Sequence, residues 1–185
     1  MDVNAQLEIS RWLESGESLI WAGVPKRGLV LRTADAFMIP FSVIWCGFAI
    51  FWEATALTGA PLFFSLWGIP FVLVGVYLVV GRFVVDAKLR AKTYYGLTDR
   101  RVLIVSGLLS HTTSSLPLRT LQEVSVHERA DRSGSVIFGH PYPFARSYAG
   151  TQWPGMGQYQ TPSFDLIQDA KWVHDKVLEL RRAAV

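Results

Sequence analysis

Four histidines, one cysteine, one polar turn and one glycine-rich run are the places where this chain could do chemistry. To hold a metal ion, His111, His127, His140 and His174 would need a spacing of three or four on one helix face, or carboxylate companions. They are dispersed and unaccompanied. Cys46 is the single cysteine, so there is no CxxC, no thiolate metal site and no disulfide framework. Gly150-Thr151-Gln152-Trp153-Pro154-Gly155-Met156-Gly157 is rich in glycine but lacks the Lys-Ser/Thr pair and the following helix that a phosphate-binding loop requires. Neither GxSxG nor HExxH occurs. Thr98-Asp99-Arg100 comes nearest to an active-site cluster. A tight turn accounts for it more simply, with Asp99 bonding nearby backbone N–H groups and Arg100 and Arg101 free to face a membrane or to pair with Asp99. The expectation is contact rather than catalysis, with no cofactor and no metal.

The elements that must position any contact surface are dominated by one apolar stretch. Ala36–Trp52 is uncharged, Glu53 interrupts, and Ala54–Gly81 is again uncharged. At about 1.5 Å per residue, Ala36–Trp52 reaches about 25 Å and Pro61–Gly81 about 31 Å as helices, against a hydrocarbon core of about 30 Å. Two membrane helices are predicted, with Leu57-Thr58-Gly59-Ala60-Pro61 as the turn and Asp35 and Glu53 marking the ends of the first. Pro40 falls in a first turn, where its missing N–H breaks no bond, whereas Pro70 lies inside the second helix. Gly47, Gly68 and Gly75 are the small residues that let two helices approach.

Charge sets the orientation. Lys26, Arg27 and Arg32 precede the hairpin, Arg82, Lys88, Arg90 and Lys92 follow it, and the turn has neither Lys nor Arg. By the positive-inside rule both flanks are expected on the cytoplasmic side of the inner (plasma) membrane. Arg82, Lys88, Arg90, Lys92, Arg100 and Arg101 form a basic run against only Asp86 and Asp99, and are the expected membrane-surface contacts. The net charge of +3 is modest and acidic residues are interspersed downstream, which argues against nucleic acid.

On either side of the hairpin the periodicity changes. Asn4 is a plausible cap for a short helix over Ala5–Glu14, and Glu17–Trp21 reads as extended. After a helical extension to about residue 91, strands are expected at 93–97, 101–105, 111–118, 121–128 and 135–139, with polar turns between them. Residues 140–162 have no clear period. They are rich in Pro, Gly and aromatics, which either fold back to cover the sheet or stay exposed as anchors for a partner, with Tyr148 and Trp153 the expected exposed contacts. Gln168–Arg182 is a strong helix with Ala170, Val173, Val177 and Leu180 on one stripe.

Glu17-Ser18-Leu19-Ile20-Trp21, the hairpin, Tyr95-Gly96-Leu97-Thr98-Asp99-Arg100-Arg101-Val102, Leu116-Pro117-Leu118 and Phe164-x-x-Ile167-x-Asp169-Ala170-x-x-Val173, in that order, resemble the bacterial PH-domain membrane proteins. The resemblance implies a membrane α-helical hairpin followed by an α+β PH-like domain: a curved antiparallel sheet of about seven strands closed by a C-terminal helix. It also makes Ser163–Leu166 the last strand, although Ser163 alone reads equally well as a helix cap. The expected division is residues 1–33 as an N-terminal segment, 34–91 as the hairpin with its extension and 92–185 as the PH-like domain. The expected function is a non-enzymatic, membrane-anchored interaction or scaffolding module. The alternatives are an anionic headgroup binder or an accessory subunit of a membrane transport complex. The partners open to it are the bilayer, a membrane or cytoplasmic protein and a second copy of the chain.

Overall fold

The computed structural model describes residues 2–32, 35–59, 61–107, 112–139 and 161–183. The chain divides into two units. One is built from residues up to 28 together with those from 87 onward that lie in strands and the last helix; the other is the hairpin, from 29 to 86.

The first unit starts with helix α1 (Val3–Ser10). Oδ1 of Asp2 accepts from the N–H groups of Asn4 at 3.0 Å and Ala5 at 3.1 Å. Asp2 is therefore the cap in place of the expected Asn4, because its carboxylate satisfies two of the orphan donors of the first turn. Strands β1 (Leu19–Gly23), β2 (Tyr94–Thr98), β3 (Arg101–Ser106) and β4 (Thr112–Pro117) form one antiparallel sheet in that order. Strands β5 (Val124–Glu128), β6 (Gly134–Phe138) and β7 (Ser163–Ile167) form a second. The described strands thus fall into sheets of four and three rather than one continuous curved sheet. The ladder stops where Pro117, which has no N–H, leads into a 3₁₀ turn at Leu118–Thr120. The N-terminal segment is not a separate piece: Ala22 pairs with Gly96 and Gly23 with Tyr95, so it supplies a strand to the sheet formed after the hairpin.

Phe164 occupies the centre of the core, its ring 5.5 Å from Trp21, 4.8 Å from Tyr95 and 4.9 Å, edge-on, from Phe138. Helix α5 (Ala170–Ala183) closes this core with Ala170, Val173 and Val177, the stripe expected from its spacing. Strand β3 is covered on both faces. Val102 turns to that core, while Leu103 and Val105 meet Ile9 of α1 in a second cluster. Gly96 makes this possible, since a Cβ there would lie 2.6 Å from Cγ2 of Ile9.

The second unit is the helical hairpin. Helix α2 (Asp35–Gly59) runs straight through Glu53, and α3 (Leu62–Val76) follows after two residues. Leu57, Thr58 and Gly59 of the predicted five-residue turn are helical, and the hydroxyls of Thr55 and Thr58 donate to the carbonyls of Phe51 and Thr55 within the last turns of α2. Glu53 consequently lies six residues inside the end of α2, about 9 Å along its axis, rather than at its boundary. Its Oε2 occupies the space that a side chain on Gly68 would need, and a Cβ on Gly75 would come within 3.0 Å of the Cα of Cys46. Gly47 meets nothing within 4 Å, so of the three glycines only Gly68 and Gly75 serve the helix contact. A π-helical turn at Tyr77–Gly81 leads into α4 (Arg82–Ala91), which carries the chain back to the first unit. Asp35–Gly59 and Leu66–Ala91 are long and apolar enough to cross a membrane, with mean hydropathy 1.6 and 2.1, and only 17% of each span's apolar window is buried within the chain.

Candidate functional site

The polar cluster at the β2–β3 turn is a clamp on the N-terminal segment. Nη2 of Arg101 donates to Oε2 of Glu17 at 2.8 Å and its Nε to Oε1 at 2.9 Å, a bidentate fork. Nη1 of Arg101 lies 2.8 Å from Oε1 of Glu14. The Thr98 hydroxyl donates to Oε1 of Glu17 at 2.7 Å and accepts the N–H of Arg101 at 2.9 Å. The Glu17 side chain has no exposed surface. Burial alone would raise its pKa, but the Arg101 fork, a backbone bond at Glu14 and the Thr98 hydroxyl together overcome it and hold the carboxyl at about 2. Glu17 in turn holds Arg101 above the usual guanidinium range. Asp99 bonds backbone N–H as expected, but that of Ser18, across the sheet edge, at 2.9 Å. The Thr98 hydroxyl, the Asp99 carboxylate and the Arg101 guanidinium of this turn are thus all engaged in holding the N-terminal segment.

Of the six basic residues expected at a membrane surface, the structure holds three, Arg82, Arg90 and Arg101, largely out of solvent against internal partners, while Arg100 donates to the Gly16 carbonyl at 3.2 Å yet stays exposed. Arg101 belongs to the clamp. Arg90 is buried and donates to the carbonyls of Lys26 at 2.7 Å and Gly28 at 2.9 Å. Arg82 is buried with its Nη1 2.8 Å from Oδ1 of Asp35 and its guanidinium 4.4 Å from the Phe83 ring centre. Arg32 and Asp86 add a second pair at 3.5 Å in the hairpin unit. Arg90 is satisfied by its two carbonyls, whereas Arg82 is compensated by the charge of Asp35 and the Phe83 ring alone, its three nitrogens making no hydrogen bond among the described residues. Lys88, Lys92 and Arg100 are exposed. Tyr148 and Trp153 lie outside the described residues.

The hairpin presents aromatic rings along its length. Phe37, Phe41, Trp45, Phe71, Trp67 and Phe63 follow one another at centroid separations of 6.1 to 6.4 Å. The first three recur every four residues on α2, the last three on α3, and the Trp45 and Phe71 rings meet between the two helices. Phe37 is 73% and Phe63 68% exposed, far beyond what single surface apolar residues in water require.

One feature of the first unit was invisible in the sequence. Arg119 from the 3₁₀ turn and Arg181 and Arg182 from the last turn of α5 line an open cavity of about 490 Å³ with Leu121 and Gln122. Arg181 and Arg182 lie in the last turn of α5, where cations suit the helix dipole. Only the fold reveals that Arg119, about sixty residues earlier, joins them.

A family model for the bacterial PH domain matches residues 36–161, about two thirds of the chain. The match takes in the hairpin and strands β2 to β6, while β1, β7 and α5 fall outside it. No curated protein and no solved structure matches the chain.

Proposed function

Because the chain belongs to the bacterial PH domain family, we propose that it is a non-enzymatic, membrane-anchored interaction module. In this reading the sheet domain is held at the cytoplasmic face of the inner (plasma) membrane, where it recruits a protein partner. The observation that carries the reading is the pairing of β1 with β2. Strands on either side of a two-helix hairpin can join one sheet only if both flanks are on the same side of the bilayer, as an even number of crossings requires. The low burial of two long apolar helices supports anchoring, and the Lys and Arg outside the turn support the cytoplasmic assignment. Lys88, Lys92 and Arg100 serve as surface contacts with anionic lipid, each worth roughly 1 kcal/mol near the surface. Tyr148 and Trp153 serve as anchors for the partner.

The test uses the full chain, because a fragment beginning after the hairpin would lack β1. Membranes expressing wild type or Y148A/W153A are solubilised in mild detergent, and the bound proteins and lipids are identified by mass spectrometry. A protein partner lost from the variant at unchanged melting temperature supports the module. Stoichiometric anionic lipid with no protein in either sample would favour headgroup binding instead.

A further inference from the structure

The open cavity between the 3₁₀ turn and the end of α5 is lined by three arginines and by no carboxylate-bearing residue. Its position is set by the fold. Nη1 of Arg181 donates to the carbonyls of Leu121 and Gln122, both at 3.3 Å, which fixes one guanidinium against the wall. Leu118, fully buried beneath the 3₁₀ turn, fixes the backbone from which Arg119 projects. Arg119 and Arg182 are exposed and make no ion pair among the described residues. Three like charges brought together repel one another unless something shares them. The carbonyl end of α5 contributes only about half a negative charge, which three guanidinium groups outweigh. We propose that Arg119, Arg181 and Arg182 form a binding site for a phosphate-bearing anion.

Phosphate chemistry suits the arrangement. Planar forks of N–H donors match the oxygens of a tetrahedral phosphate, and several forks can engage one group or two linked groups at once. The cavity exceeds the size of one phosphate ion, so the carrying group has room against Leu121 and the Gln122 amide. The site uses none of Lys88, Lys92 or Arg100, and it depends only on the sheet domain, so it holds whether or not the membrane reading does. A soluble phosphorylated compound and a phospholipid headgroup offer the same chemistry.

The experiment uses the full chain. In neutral detergent, inorganic pyrophosphate is titrated by calorimetry; in nanodiscs, phosphatidylcholine alone is compared with phosphatidylcholine containing phosphatidic acid, reading protection of Leu118–Gln122 and Arg181–Arg182 by hydrogen exchange. R119Q/R182Q removes two exposed charges without touching the core, and K171Q/K176Q removes two elsewhere on α5. Pyrophosphate binding weakened about tenfold or more by R119Q/R182Q but not by K171Q/K176Q supports a soluble ligand. Protection only with phosphatidic acid, lost in R119Q/R182Q alone, supports a headgroup. Binding in neither arm, or equal weakening by both variants, overturns the site.

Discussion

Nη2 of Arg101 lies 2.8 Å from Oε2 of Glu17, joining two residues 84 positions apart with the whole hairpin between them. This ion pair, with β1 beside β2, makes the segment before the hairpin part of the domain after it. Removing one partner leaves the other charge buried. Arg101→Gln, which strands the Glu17 carboxylate, should cost about 3 kcal/mol, and Glu17→Gln less, because Arg101 keeps Glu14 at 2.8 Å; both are read as a lowered melting temperature of the full chain in detergent. If the pair is one unit, the double variant should cost less than the two single losses added together.

The same pair fixes a pH dependence. Glu17 is held at about 2 in the folded chain against an ordinary value of 4.5. Between those values the unfolded chain binds more protons, so the contribution is full above about pH 4.5 and is lost as pH falls toward 2. Wild type should lose more stability than Glu17→Gln across that window. Parallel curves in thermal melts at a series of acid pH values would remove Glu17 from the account.

Gly96 carries no side chain because Ile9 of α1 occupies the space. Gly96→Val should expel Ile9 and detach α1, costing about 1–3 kcal/mol as an overpacked site. Ile9→Ala in the same chain should restore part of the loss, a pairwise coupling that a remote backbone effect would not show.

Much of this was legible beforehand, and the misses have physical causes. The hairpin, the hairpin turn at Asp99 and the stripe Ala170, Val173, Val177 follow from local periodicity, which a single sequence carries. Ser163–Leu166 reads as a strand only through family resemblance, since Ser163 alone is ambiguous, and the structure carries that strand to Ile167. The pairing of Glu17 with Arg101, the burial of Arg90 beneath the carbonyls of Lys26 and Gly28, and the meeting of Arg119 with Arg181 and Arg182 are long-range. Charge alone made all the basic residues downstream of the hairpin look alike; only the fold divides those that are structural from those that are exposed.

That division gives a contrast. Lys88→Glu with Lys92→Glu should leave the melting temperature nearly unchanged while weakening salt-sensitive attraction of the domain to anionic bilayers. Arg90→Glu should instead destabilise by several kcal/mol, because it replaces a buried donor with an acceptor facing two carbonyls. Equal stability of the three charge-reversed sites would contradict the placement of Arg90.

Val173 and Val177 have no exposed surface on α5. Val173→Asp or Val177→Asp should unfold the domain, since a buried unpaired carboxylate costs several kcal/mol from a total of about 5–15 kcal/mol. A wild-type circular dichroism melt in either variant would show that the stripe does not close the core.

The central claim is that the residues on both flanks of the hairpin form one sheet on one side of the membrane. Its most direct measurement is labelling of single cysteines by a membrane-impermeant maleimide in intact and in opened bacterial cells, with Cys46 first replaced by Ala. Ser10→Cys and Ser114→Cys should be labelled only after the cells are opened, and Thr58→Cys, near the hairpin tip, in intact cells. Labelling of Ser10→Cys and Ser114→Cys from opposite sides, or of Thr58→Cys from the same side as both, would contradict it.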